Sequence, residues 1–313
     1  MIRYAVRRVL VAIPTIFIAV TIIFIMMRVI PGDPATAALG NYASESAIQA
    51  LKERMGLNRP LYLQYLDYLG GLLRGDLGKS FVNGNPVAPL IRKSLPYTVD
   101  LALGGILIGV ILGIPLGVIT AIKRNRMVDY IGRTLSLAGL SFPEFYLGLL
   151  LILVFSVYLD LFPSIGGGDL TDIGDRLYHL ALPALTLGLI MTAYITRMTR
   201  SAMLEVIRQD YVSTARAKGL SEIKVVGKHA LKNALISVIT VIGLYVGILI
   251  AGSVMSEIVF SRPGLGKLLI GAMKNRDYNM MQSILVIITS IIIVVNLLTD
   301  IAYSFCDPRI RYD

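Results

Sequence analysis

The chain has 313 residues, of which 55% are hydrophobic and 16% charged, with a formal net charge of +10 and a mean hydropathy of +0.72. A soluble domain of this size covers its core with roughly a quarter charged residues, so a water-soluble globule is excluded. A single cysteine, Cys306, excludes an internal disulfide and any cysteine-based metal cluster.

A bilayer core about 30 Å thick takes roughly 20 apolar residues per helix. Val9–Met27 is the first uncharged run. Arg3, Arg7 and Arg8 before it and Ala35-Thr36-Ala37 after it imitate a signal peptide. The run is longer than the roughly 7–15 residues of a signal core, so it reads as a retained anchor. "PGDP" at 31–34 breaks that helix. Residues 31–96 form the one sizeable extramembrane insert. Within it, Ser44–Met55 reads as a short helix capped by Ser44 and ended by Gly56. Residues 60–78 read as an amphipathic helix with Tyr62, Tyr65 and Tyr68 at helical spacing. It serves either as a membrane-surface helix with interfacial tyrosines or as a platform for an extracytoplasmic partner.

Leu101–Ile122 is the second span. Gly105, Gly109, Gly113 and Gly117 recur at every fourth position, a face suited to close helix packing, and Pro115 predicts a kink. The third span ends at Leu159 and extends upstream through Glu144 to about Thr134. A carboxylate inside a span is expensive, so Glu144, with Pro143 before it, must face other helices or water. It is either paired to a neighbour or hydrated, or it lines a translocation path. Ala181–Thr196, Leu235–Ser256 and Met280–Thr299 complete the set. Asp100 and Asp300 fall at helix ends and read as solvated. The expected fold is an all-α integral membrane protein with six transmembrane helices.

With the amino terminus inside, the inner segments carry 17 Lys and Arg and the two short outer loops carry 5. The segment between Asp160 and Asp175 carries four Asp and no basic residue. The positive-inside rule therefore places both termini in the cytoplasm. The net charge is a topology signal, and no basic, aromatic surface points to nucleic acid.

The chain offers no catalytic set. Gly78-Lys79-Ser80 supplies the tail of a phosphate-binding loop, but Leu73 stands where its first glycine belongs. His179 and His229, the only histidines, lie in opposite aqueous regions, so no metal site is expected. "GGGD" at 166–169 resembles part of an intramembrane aspartyl protease motif but lacks a second mid-helix Asp.

Tyr211–Leu235, "YVSTARAKGLSEIKVVGKHALKNAL", interrupts the apolar chain on the inner side. Helix formers run to Lys218, Gly219 stops them, and Ser221 can cap a second helix that runs into the fifth span. Two short helices meeting at a glycine form a projecting knob. Ser213, Thr214, Ala215 and Ala217 keep its surface low, as a docking element needs. The bland alternative is a basic interfacial loop.

This stretch resembles the EAA loop of importer permeases of the ATP-binding cassette class, in the dipeptide/oligopeptide group, whose pattern is E-A-A-x-x-x-G followed by I-x-L-P. Ser213, Thr214 and Ala215 stand at the Glu-Ala-Ala positions, Gly219 at the glycine and Leu231 at the leucine. The Glu is missing, and His229 and Lys232 replace the Ile and Pro. "TARAKG" followed by "HALKNAL" is nevertheless the form the peptide subgroup takes. The resemblance covers nearly the whole chain, through "RYAVRRVLVAIPTIF" at 3–17, "PGDP" at 31–34, "GLNRPLYLQYLDYLGGLLRGDLGKS" at 56–80, "SFPEF" at 141–145, "FSRPGLGKLL" at 260–269, "RDY" at 276–278 and "DPRIRY" at 307–312.

The resemblance implies the architecture of type I importer permeases in a prokaryotic plasma (inner) membrane. Residues 1–30 would be an N-terminal transmembrane helix and 31–96 an extracytoplasmic insert. Residues 97–305 would be a five-helix core with a coupling loop at 199–234, and 306–313 a cytoplasmic tail. A second homologous permease, two cytoplasmic ATP-binding subunits and an extracytoplasmic substrate-binding protein would be partners. ATP and Mg would bind the ATPase subunits, and this chain would hold no cofactor. Ser213, Thr214, Ala215, Ala217, Lys218, Gly219 and Ser221 would couple to the ATPases. Arg262, Pro263, Gly264 and Gly266 would lie near the outer gate or the binding-protein contact. The solute would be di- or oligopeptides, with nickel, glutathione or another small solute as alternatives on the same architecture. Two further classes, an ion-coupled secondary transporter and a non-transporting scaffold, compete less well. The former predicts midplane charges and inverted repeats, and the sequence offers one Glu and no detectable repeat.

Overall fold

The computed structural model describes residues 2–29, 34–39 and 44–306. Pro31, Gly32 and Asp33 of the helix break, and the tail at 307–313, lie outside the described residues. The sole β-type pairing among the described residues is an isolated bridge between Lys79 and Pro86. All the regular elements are helices: α1 Ile2–Val29, α2 Pro34–Leu39, α3 Glu45–Arg54, α4 Leu61–Leu73, α5 Val87–Ile122, α6 Met127–Ser141, α7 Glu144–Leu151, α8 Ile173–Val206, α9 Asp210–Ala217, α10 Glu222–Lys224, α11 Lys232–Val259, α12 Leu265–Lys274 and α13 Tyr278–Cys306 among the described residues. Two π-helical stretches extend these, Ile152–Tyr158 after α7 and Val225–Leu231 before α11.

Five helices are long and apolar enough to cross a membrane, and the α6–α7 pair makes a sixth if its two halves count as one span. The sequence reads that span as a single helix. The structure bends it by 104°. Phe142 and Pro143 are both extended, with ψ of 131° and 138°, because a residue before proline is pushed out of the helical region. At α5 the opposite holds. The helix runs on unbroken through Pro96 and Pro115 and begins at Val87, inside the stretch read as the insert.

α8 is the centre of the bundle. Of its most apolar window 61% is buried, against 11% for α1, although α1 is the more apolar of the two. In a bilayer the most apolar helix is the one that faces lipid, and a helix surrounded by protein tolerates more polar residues. α5 packs along α8 through the glycine ladder. A Cβ on Gly105, Gly109, Gly113 or Gly117 would lie 2.9, 2.5, 2.7 and 2.5 Å from Leu187, Met191, Ile195 and Thr199 in turn. Two four-residue repeats thus run in register, and only glycine allows the approach. At the other side of α8, Asp129 of α6 is fully buried and receives Arg200 at 2.7 and 2.9 Å.

α1 lies against α13 through Val20, Ile23, Val286 and Ser290. The insert is tied to the head of α13. The Asp277 carboxylate accepts from the Ser80 hydroxyl and from the Phe81 and Met280 amides, the last two at 3.1 and 3.3 Å. Asn279 Nδ2 donates to the Leu77 and Lys79 carbonyls at 3.2 and 2.8 Å.

Candidate functional site

Three groups of residues carry the functional expectations, and the last two share the end of α11. The first is the knob between α8 and α11. α9 ends as the Lys218 and Gly219 amides donate back to Thr214 and Arg216 carbonyls at 3.1 and 2.9 Å. Gly219 then takes φ +79°, the left-handed turn that glycine enters without a Cβ penalty. Ser221 precedes α10 in an extended conformation, but its side chain makes no capping hydrogen bond. Arg216 Nε meets Glu222 Oε1 at 2.7 Å, and Asn233 Nδ2 donates to the Tyr211 hydroxyl at 2.8 Å, so both short helices are tied down.

Ser213, Thr214, Ala217, Lys218, Gly219 and Ser221 are exposed. Ala215 is not: it is buried with Val212 and Val225 against Val206 in the knob's own small core. A small residue there serves internal packing. The most exposed apolar side chain of the knob is Ile223, 86% accessible, with Leu220 and Tyr211 also exposed. No sequence pattern singles out Ile223 beyond an isoleucine in the first turn after a cap, beside charged neighbours. An exposed apolar cluster rimmed by charge is the pattern of a contact surface.

The second group is Pro143 and Glu144. The bend places Glu144 at the first turn of α7, with its carboxylate against α11 at Gly252 and Ser256. A Cβ on Gly252 would come within 3.1 Å of Glu144 Oε2. Glu144 Oε1 and Ser256 Oγ are both buried without a hydrogen-bond partner. The structure gives Glu144 no basic partner among the described residues. Buried polar atoms left open in this way call for water or a polar solute between the helices.

The third group is the outer loop. Arg262, Gly264 and Gly266 are buried and Pro263 is exposed. Glu257, near the end of α11, is also fully buried. Its carboxylate accepts from the Thr98 hydroxyl at 2.6 Å and from the Lys267 amide at 3.0 Å. It therefore caps α12, whose own N-cap, Gly264, has no side chain to do so. Arg262 lies over the Tyr97 ring at 5.2 Å and donates to the Tyr97 and Gly167 carbonyls at 3.2 and 3.4 Å. Burial lowers its guanidinium below the usual value, and the Asp100 and Glu257 carboxylates oppose that. Asp100, read from sequence as solvated, is instead held by Arg176 at 2.6 and 2.5 Å and lies 3.5 Å from Arg262. Asp300 also pairs with Arg8 at 2.7 Å, but its side chain stays 36% exposed, as the solvated reading expects. The glycines of "GGGD" are stitched into the same cluster: the Gly166 amide donates to the Phe260 carbonyl at 2.8 Å, and the Gly168 carbonyl accepts from the Tyr97 hydroxyl at 3.0 Å. The motif is a structural loop.

Residues 113–312 match the family model described as the binding-protein-dependent transport system inner membrane component, and residues 1–102 match the N-terminal model of such membrane components. The chain is 44% identical to the di/tripeptide transport system permease protein DppB of Pseudomonas aeruginosa, over all of this chain and 99% of that one. It is 40% identical over the full length of both chains to the glutathione transport system permease protein GsiC of Escherichia coli. Among solved structures, a chain of the inward-facing MetNI methionine ABC transporter superposes with a TM-score of 0.57 at 22% identity, over 70% of this chain and 96% of that one.

Proposed function

The chain belongs to the family of binding-protein-dependent transport system inner membrane components, and on that premise we propose that it is the permease subunit of an ATP-driven importer of di- and tripeptides, forming half of the transmembrane path. The observation that carries the solute class is the end-to-end similarity to a di/tripeptide permease. The similarity to a glutathione permease favours a second reading in which the solute is glutathione, itself a modified tripeptide. The family is that of a multi-pass plasma-membrane component working with a substrate-binding protein, and an ABC system draws its energy from ATP-binding partners.

In this reading the knob of α9 and α10 faces the cytoplasm and docks on an ATPase subunit through Leu220, Ile223 and the small exposed residues Thr214 and Ala217. A homologous permease completes the path, and two ATPase subunits bind ATP and Mg. Glu144 and Ser256 lie on the solute path. The buried outer cluster of Glu257, Arg262 and Asp100 holds α12 as one wall of the outer mouth.

Reconstitution tests the solute. The complex, in proteoliposomes with its binding protein, is expected to accumulate labelled dialanine in an ATP-dependent manner and to raise its ATP hydrolysis when the binding protein is loaded. Uptake of glutathione without uptake of dipeptide would replace the first reading with the second. Uptake driven by an ion gradient without ATP would overturn both.

A further inference from the structure

A cavity of about 530 Å³, separate from the three groups above, lies where the last turn of α1 meets α3, α4, the loop at 78–84 and the first turns of α13. Its walls include Arg28, Arg59 and Lys79 against a single carboxylate, Asp67. Asp67 is taken up by Arg59. Arg28 is half-buried, lies 4.7 Å over the Phe24 ring, and uses Nε on Gln64 Oε1 at 3.1 Å. No carboxylate among the described residues pairs with Arg28 or Lys79.

A guanidinium drawn partly out of water at the end of an apolar helix, with no carboxylate paired to it among the described residues, is costly. The remaining donors converge on the same space. The Tyr68 hydroxyl is buried, lies near Gln282, and makes no hydrogen bond of ordinary geometry. Burial pushes its phenol up to about 12, so it stays protonated and able to donate. Gln282 is itself buried in the wall. A planar guanidinium, an ammonium, a phenol and an amide around one pocket suit the oxygens of a phosphate.

Position identifies the source of that phosphate. Arg28 stands in the last turn of a membrane-spanning helix, at the depth of lipid headgroups. Beside it, Ile22, Ile25, Met26 and Val29 expose an apolar flank to the acyl chains. We propose that this cavity binds the phosphodiester of an acidic phospholipid, with Arg28 and Lys79 as its counter-charges, Tyr68 and Gln282 as neutral donors, and the acyl chains along α1. The surplus of positive charge favours a headgroup with net negative charge such as phosphatidylglycerol.

The test uses the purified, delipidated importer complex and follows thermal unfolding of this subunit. Short-chain phosphatidylglycerol below its micelle concentration is titrated in parallel with inorganic phosphate. The lipid is expected to raise the unfolding temperature at concentrations where phosphate does not. Lys79→Gln, at an exposed position, and Arg28→Gln should each raise the half-saturating lipid concentration by roughly tenfold, as loss of a charge-assisted hydrogen bond predicts. An equal response to phosphate would make this a free-anion site and overturn the lipid assignment. An unchanged lipid response in Lys79→Gln and Arg28→Gln would overturn the site. If Arg28→Gln fails to assemble, mass spectrometry of co-purified lipid decides: Lys79→Gln should retain several-fold less phosphatidylglycerol than the native complex. Binding is the readout throughout, so a negative result leaves the import reading standing.

Discussion

The Glu257 carboxylate occupies the space that a side chain on Gly264 would need: a Cβ there would lie 2.1 Å from Oε1. The two residues form one device, in which a glycine gives up its side chain so that a carboxylate from the preceding helix can reach the amides of α12. Gly264→Ala is expected to drive the carboxylate out and to lower the unfolding temperature of the complex. Glu257→Gln keeps the volume and one acceptor but loses the charge at the helix N-terminus, so its effect should be smaller than that of Glu257→Ala. Calorimetry of the three variants checks the order. Equal stability of all three would mean that α12 is held by its apolar contacts alone.

The α5–α8 contact makes a second prediction. Gly109 faces Met191 at a distance no side chain can share. Gly109→Leu overpacks a helix pair that forms the centre of the bundle, at a cost of about 1–3 kcal/mol. Gly104→Leu, one position off the ladder and closest to Ala184, probes the same pair near its end. The expected result is a greater loss of folded protein for Gly109→Leu, read as the monodisperse fraction in size-exclusion chromatography. Met191→Ala in the Gly109→Leu background should recover part of it by making room.

These two cases mark how far the sequence could be read. The glycine ladder was legible because a period of four needs no knowledge of the partner helix, and α8 supplies the matching period. The six apolar runs were legible for the same reason. The bend at Pro143 was masked by the apolar stretches on both sides of Pro143 and Glu144, and Pro115, in an uncharged run, leaves its helix continuous. Proline therefore marks where a helix can break, and packing decides where it does. Glu257 lies one residue beyond the uncharged run Leu235–Ser256, and no sequence pattern marks it out. Its partners are Thr98, 159 positions away, and the α12 amides. Asp100 reads as solvated because Arg176 is 76 positions distant. At Ala215 the composition was informative, but the face was not: small residues lie on both sides of α9, and only the packing of Val212 and Val225 shows which ones point inward.

Glu144 gives a third prediction. Its carboxylate packs against the Ser256 backbone on α11, while Glu144 Oε1 and the Ser256 hydroxyl are each buried without a hydrogen-bond partner. If the Glu144 carboxylate belongs to the solute path, Glu144→Gln should fold and assemble with native yield while uptake or ATPase stimulation falls. Ser256→Ala should alter the same step. A loss of yield and thermal stability with uptake per folded complex unchanged would make Glu144 a structural residue. No change in either measurement would make it a hydrated bystander.

The last prediction concerns the knob. Nothing lies within 4 Å of a Cβ placed on Gly219, so within this chain the position demands glycine only for its backbone angle. Asparagine enters the left-handed region more readily than other residues, whereas a branched side chain there costs about 1–2 kcal/mol or more. Gly219→Asn should therefore preserve the turn and Gly219→Val should strain it. Docking adds a second demand, since a partner surface lying flat on the turn rejects any side chain. Ile223→Asp removes the most exposed apolar group of the knob without touching its core of Val212, Ala215 and Val225. The expected outcome is that Ile223→Asp and Gly219→Val leave the permease folded in the membrane but release the ATPase subunits during purification or uncouple hydrolysis from uptake. Gly219→Asn separates the two demands: retained coupling would assign the glycine to the turn, and lost coupling with a folded permease would place a partner against it. Full ATPase association and uptake in Ile223→Asp and Gly219→Val together would reduce this stretch to a basic loop at the inner face. Ala215→Trp is unsuited to the question, because the buried position of Ala215 makes it disrupt the knob itself.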